Sequence, residues 1–115
     1  KDELRVIFDQ VGTPAYAKHL AQTMLDIIPQ IENSEVEIYN YSNEGVLSWY
    51  DFAKDIMELA NLNCKVKPIE TFQYPTPAKR PHYSILNKSK IKSEFNIQIP
   101  YWKDGLADCL ERLDK

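Results

Sequence analysis

The chain has 115 residues, 43% of them hydrophobic and 27% charged, with 17 Asp and Glu against 14 Lys and Arg. That is enough for one domain with a modest core, and the slight acidity excludes general nucleic-acid binding, which needs a strong basic balance. No apolar run approaches the roughly 20 residues of a membrane helix, and no signal-peptide pattern opens the chain.

Residues 4–10, LRVIFDQ, are an apolar, β-branched run with the pattern of a buried strand. VGT breaks it, and Thr13-Pro14 predicts an N-cap followed by proline at the first helical position. Tyr16, Ala17, Leu20, Ala21, Met24, Leu25 and Ile28 then recur at helical spacing until Pro29 closes the run. Residues 36–42, VEIYNYS, alternate as a strand, and NEG turns the chain. Ser48 predicts a cap for a second helix, with Asp51 as its capping-box acid and Trp49, Phe52, Ala53, Ile56, Met57 and Ala60 on the apolar face. CKVKPIET, 64–71, reads as a third strand. Asn87 predicts the cap of a short helix through about Phe95, and a last helix runs from about Tyr101 with Trp102, Leu106, Cys109, Leu110 and Leu113 on one side. Short strands alternating with about four helices define a small α/β domain, α+β-like in its proportions.

The opening KDELRVIF has no initiator Met and enters a strand almost at once, which predicts a domain of a longer protein. Cys64 and Cys109 form no CxxC pair and suit no metal-ligand spacing, so two reduced thiols in a cytoplasmic protein are expected.

Tyr50 to Lys54, YDFAK, fits the Tyr-x-x-x-Lys pattern of short-chain dehydrogenases, in which an ammonium one helical turn away lowers the phenol's pKa. Such chemistry also needs a glycine-rich turn against a dinucleotide's phosphates. The three glycines, Gly12, Gly45 and Gly105, form none, so the pattern is read as a decoy and no catalytic residue is assigned. His19 and His82 lack a nucleophile and an orienting acid and read as solvated or structural. Asp51 and Asp55 share a helix face as many solvent-facing pairs do, and Trp49 and Trp102 sit at core positions.

The stretch YPTPAKRPHYSILNKSKIKS, 74–93, carries Lys79, Arg80, Lys88, Lys90 and Lys92 without one acid. Pro75, Pro77 and Pro81 stiffen its first half. A preordered Arg80 guanidinium offers paired donors matched to a phosphate or diphosphate; a solvated basic surface is the alternative reading.

Four stretches, DQVGTP (9–14), IYNYSNEGVLSWYDFA (38–53), YPTPAKRPHYSILNKSKI (74–91) and IPYWKDGLADCL (99–110), together resemble the C-terminal part of the dTDP-4-dehydrorhamnose reductase family, extended short-chain dehydrogenases/reductases. The resemblance covers nearly all of the chain, and TPAKRP..S.L is its most specific element. It implies that residues 1–115 are a nucleotide-sugar substrate-binding domain, lacking the N-terminal Rossmann domain that holds NADPH or NADH and the catalytic Ser/Thr-Tyr-Lys set. The whole enzyme would reduce dTDP-4-dehydro-L-rhamnose to dTDP-L-rhamnose, and this chain alone is expected to be inactive and to bind no cofactor. Arg80 is the implied diphosphate contact. Gln10 faces the inter-domain cleft or caps the strand, and Ser84 fixes the loop or touches the ligand. Some relatives bridge subunits through magnesium held by helix carboxylates, but the aligned positions here are Lys18 and Arg112, so no metal is expected and a homodimer is left open. Two alternatives stand beside this reading: a non-catalytic regulatory or interaction module of the same fold, and another nucleotide-sugar epimerase or dehydratase.

Overall fold

The opening apolar run becomes β1 (Glu3–Ile7), followed by β2 (Val11–Gly12), α1 (Ala17–Ile27), β3 (Leu47–Ser48), α2 (Trp49–Leu59), β4 (Lys65–Ile69), α3 (Ser89–Phe95) and α4 (Trp102–Leu113). The computed structural model describes residues 2–113; Lys1, Asp114 and Lys115 lie outside the described residues. The α/β reading holds, with four α-helices and short strands among the described residues.

β1 and β4 pair in parallel, with Glu3 opposite Lys65 and Ile7 opposite Ile69. The pairing extends one step through the Phe8 N–H, which donates to the Ile69 carbonyl at 2.9 Å. Val66 and Ile69 are buried where α2 lies against both strands. α2 starts as its sequence requires: the Ser48 hydroxyl accepts from the Asp51 N–H at 3.0 Å, and the Asp51 carboxylate accepts from the Ser48 N–H at 3.3 Å. α4 touches α2, and the Phe52 and Trp102 rings meet edge-on at 5.9 Å.

The structure corrects three local expectations. Thr13 and Pro14 do not begin the first helix. Tyr16 is its N-cap, and the Thr13 hydroxyl donates instead to the Gly45 carbonyl. Residues 36–42 form no strand. Their alternation is real, but no neighbouring strand accepts them, and Val36 and Ile38 stay 92% and 77% exposed. Side chains dock that segment: Tyr39 packs on Phe95 at 5.3 Å, and the Lys90 ammonium sits 4.5 Å over the Tyr39 ring. Trp49 is half-exposed, whereas Trp102 is buried as expected.

A turn at Gly45 connects this segment to the last helix. The Glu44 N–H donates to Pro100 O at 3.0 Å, and the Trp102 N–H returns to Glu44 O at 2.9 Å. Gly45 has φ of +113°, and a Cβ there would stand 2.4 Å from Trp102 Cδ1, so both backbone and space demand glycine.

The apolar core is thin, with Leu47, Val66, Ile69, Ile91 and Trp102 its buried hydrophobic members. The radius of gyration is 16.8 Å and the extents are 52 × 37 × 20 Å, against about 13 Å for a compact chain of this length. The domain is a slab with broad exposed faces.

Candidate functional site

Parallel strands present their carboxyl ends to ligands in open α/β sheets, because the connecting loops gather there. Here β1 runs out into Asp9 and Gln10, and β4 runs out into Glu70 and Thr71. These two ends are stitched together. Thr71 donates its backbone N–H and its hydroxyl to Asp9 Oδ1, at 2.9 and 2.6 Å. Those bonds, the hydroxyl's first, hold the Asp9 carboxyl below its ordinary pKa. Gln10 is buried (7% exposed), and its Nε2 donates to Thr71 Oγ1 at 3.3 Å.

Beyond Thr71 a single 3-10 turn, Thr71–Gln73, leads into the proline-rich loop. The chain returns alongside β2: the Val11 N–H donates to His82 O at 2.8 Å, and the Ser84 N–H to Val11 O at 3.0 Å. The Ser84 hydroxyl also donates to Val11 O, at 3.3 Å. It stands so close to Gly12 that a Cβ there would lie 3.0 Å from it. Thr71, Tyr74, Pro75, Lys79, Arg80 and His82 are among the residues around an open recess of about 310 Å³.

The five cations of residues 74–93 divide into two groups. Lys88 is buried, 2.9 Å from Glu44 Oε1, and donates to Ser42 Oγ and Asn43 O at 3.3 and 3.1 Å. Lys92 pairs with the other oxygen of Glu44, and these two ammonium groups, Lys92 first, hold the Glu44 carboxyl below its ordinary range. Lys90 pairs with Glu37 at 2.9 Å. These three are internal struts. Lys79 and Arg80 are exposed and make no ion pair or side-chain hydrogen bond to any described residue. The charge available to a ligand is therefore narrower than the sequence suggests.

Of the three sequence-predicted residues, the structure gathers Gln10 and Ser84 at the base of this loop, with Arg80 on its exposed part. Asp9, Thr71 and His82 were missed as a group. The signal was present: Asp9 and Thr71 each sit just past an apolar run, where strand ends converge.

The other candidates have structural occupations. Tyr50 and Lys54 make no hydrogen bond to each other. Asp51 is the capping acid, and Asp55 lies 3.6 Å from Lys103. His19 Nδ1 accepts from Asn43 Nδ2 at 2.9 Å. Lys18 and Arg112 both turn onto Asp108, at 3.5 and 3.0 Å, where Tyr16 also donates at 2.7 Å. Two cations around one carboxylate do not fit a metal ion. Among the described residues no group of three or more His, Cys, Asp or Glu is placed to hold one. Both cysteines are free thiols, and no described helix is long and apolar enough to cross a membrane.

A two-strand parallel sheet thus carries α2 on one face and the proline-stiffened loop of Lys79 and Arg80 beside its strand ends, an α/β arrangement open on the loop side. All of residues 1–115 match the family model described as RmlD substrate binding domain, and the chain belongs to that family. It is 36% identical over 111 residues to the spore coat polysaccharide biosynthesis protein SpsK of Bacillus subtilis, covering 96% of this chain and 38% of that protein. It is 37% identical over 118 residues to dTDP-4-dehydrorhamnose reductase of Aggregatibacter actinomycetemcomitans, covering 94% of this chain and 40% of that one. Among solved structures it superposes on dTDP-4-dehydrorhamnose reductase from Bacillus anthracis in complex with NADP. The TM-score is 0.86 at 32% identity, over 97% of this chain and 38% of the other. The chain thus spans 38–40% of the length of these relatives.

Proposed function

We propose that this chain is the substrate-binding part of a dTDP-4-dehydrorhamnose reductase. The whole protein reduces the 4-keto group of dTDP-4-dehydro-L-rhamnose to give dTDP-L-rhamnose, with the cofactor and the catalytic Ser/Thr-Tyr-Lys set on an N-terminal Rossmann domain. NADPH or NADH, when bound there, supplies the hydride. A cytoplasmic setting and a homodimeric assembly belong to the same reading.

The observation that carries it is that Lys79 and Arg80, unpaired among the described residues, stand on a proline-stiffened loop beside the carboxyl ends of β1 and β4. A nucleotide sugar presents a diphosphate, and a guanidinium free of internal partners can meet it through two parallel N–H donors. Such a contact lies far from the reacting carbonyl, so it orients the sugar and supplies binding energy without joining the chemical step. Gln10 and Ser84 support the strand end and the returning loop from beneath.

The test is an assay of the full-length parent protein with dTDP-4-dehydro-L-rhamnose and NADPH. Sugar-dependent oxidation of the cofactor is expected. A folded parent that binds NADPH yet turns over no nucleotide sugar would favour the non-catalytic module. Interconversion of a sugar epimer without net cofactor oxidation would favour an epimerase.

A further inference from the structure

Both ends of the loop that carries Lys79 and Arg80 converge on Asp9. Upstream, Thr71 gives that carboxylate two hydrogen bonds. Downstream, His82 Nδ1 lies 2.7 Å from the Asp9 backbone carbonyl. A carbonyl oxygen only accepts, so Nδ1 carries the proton and donates. Asp9 Oδ2 stands 4.0 Å from the same nitrogen, which gives a protonated ring an ion-pair partner.

Between these anchors the loop has few ties of its own. Gln73 and Tyr74 close the 3-10 turn on the carbonyls of Glu70 and Thr71, and the Thr76 hydroxyl donates to Ala78 O at 2.7 Å. Three prolines restrict its path but do not aim it. Its direction is set where it leaves Thr71 and where it returns at His82.

We propose that Asp9 is a positioning residue for ligand binding: its carboxylate fastens Thr71 to the strand end whose backbone carbonyl receives His82, and so fixes where Lys79 and Arg80 stand relative to the carboxyl ends of β1 and β4. This rests on the reading of Arg80 as the diphosphate contact, and adds that the contact depends on a residue one step removed from the ligand. A loop ordered in advance loses less freedom when the ligand binds, and that saving appears as affinity.

The full-length parent protein serves for the test. Asp9→Ala should raise KM for the nucleotide sugar about tenfold, leave kcat within about twofold, and leave KM for NADPH unchanged. Thr71→Val, which takes the hydroxyl from both Asp9 Oδ1 and Gln10 Nε2, should move KM the same way, and Thr71→Ser, which restores it to both, should bring it back. Placed on Arg80→Ala, Asp9→Ala should add no more than the milder effect of Lys79→Ala, because most of its action runs through the same guanidinium. A fully additive effect, or an Asp9→Ala enzyme with unchanged KM, overturns the proposal. If Asp9→Ala does not fold, the Thr71 pair decides: a Val variant without effect, or a Ser variant without rescue, overturns it.

Hydrogen exchange judges the latch independently of any ligand. The Val11 and Ser84 amides, which close the returning bridge, should exchange about tenfold faster in Thr71→Val. Unchanged exchange there overturns the latch. Wild-type KM in Arg80→Ala would overturn the diphosphate reading instead, and exchange would still decide whether Asp9 orders the loop.

Discussion

The backbone N–H of Tyr16 donates to Asn43 Oδ1 at 2.9 Å, so the start of α1 is pinned by a loop 27 residues further along the chain. The Asn43 amide nitrogen completes the junction, donating to His19 Nδ1 at 2.9 Å and to Pro100 O at 3.3 Å. One side chain, 1% exposed, thereby joins α1 to the segment that enters α4. Asn43→Ala removes all three bonds and leaves part-buried partners unsatisfied, so it should cost about 2–3 kcal/mol of stability. Asn43→Asp keeps the acceptor for Tyr16 but turns a carboxylate toward Pro100 O, and should rescue little. Chemical denaturation of the parent protein measures both; an unshifted transition for Asn43→Ala would refute the junction's importance.

That junction also shows why the start of the first helix was misread from the sequence. Thr13-Pro14 has the composition of a helix start, and only the tertiary placement of Asn43 moves the start to Tyr16. Where the signal is local and self-contained, as in the Ser48–Asp51 capping box, sequence and structure agree. The 64–71 run was legible as a strand, but its parallel partnership with β1 depends on a long-range pairing that periodicity does not encode. The 36–42 alternation fails for the same reason in reverse, a strand pattern without a partner. In the basic stretch, composition counted five cations equally, whereas Glu44 and Glu37 had already claimed three.

Tyr50→Phe in the parent enzyme should leave kcat within about twofold of wild type. Tyr50 lies on α2, within the packed body of this domain, and has no bond to Lys54 of the kind a proton-transfer pair needs. Steady-state kinetics on the folded variant checks this. Loss of turnover without loss of fold would restore YDFAK as a catalytic motif.

Acid stability should depend on Asp108. The Tyr16 hydroxyl first, then the Arg112 guanidinium, hold its carboxyl down at about 2, against an ordinary 3.8. A carboxyl whose pKa is lowered by folding stabilises the folded state fully above the unfolded value. That contribution is lost as pH falls from about 3.8 toward 2. Asp108→Asn should flatten this part of the stability–pH curve, and Tyr16→Phe should flatten it partly. Denaturation midpoints collected across that window give the comparison, and identical slopes for wild type and Asp108→Asn would rule the coupling out.

Arg80 offers the sharpest functional test. Hydrogen bonds to a charged group are worth roughly 1.5–3 kcal/mol, so Arg80→Ala should lower kcat/KM by roughly 10- to 100-fold. Most of that loss should fall on KM, because a diphosphate remote from the keto carbon is held alike before and during hydride transfer. Arg80→Lys keeps the charge but loses the two-pronged geometry, and should fall between wild type and Arg80→Ala. Lys79→Ala should be milder, since an ammonium acts as a point charge, and its effect should shrink as salt is raised. The affinity for NADPH alone should not move in any of the three. Because Arg80 has no side-chain partner among the described residues to lose, its removal should leave the melting temperature nearly unchanged, which separates a binding defect from a folding one. A folded Arg80→Ala enzyme with wild-type KM and kcat would return Lys79 and Arg80 to the status of a solvated surface.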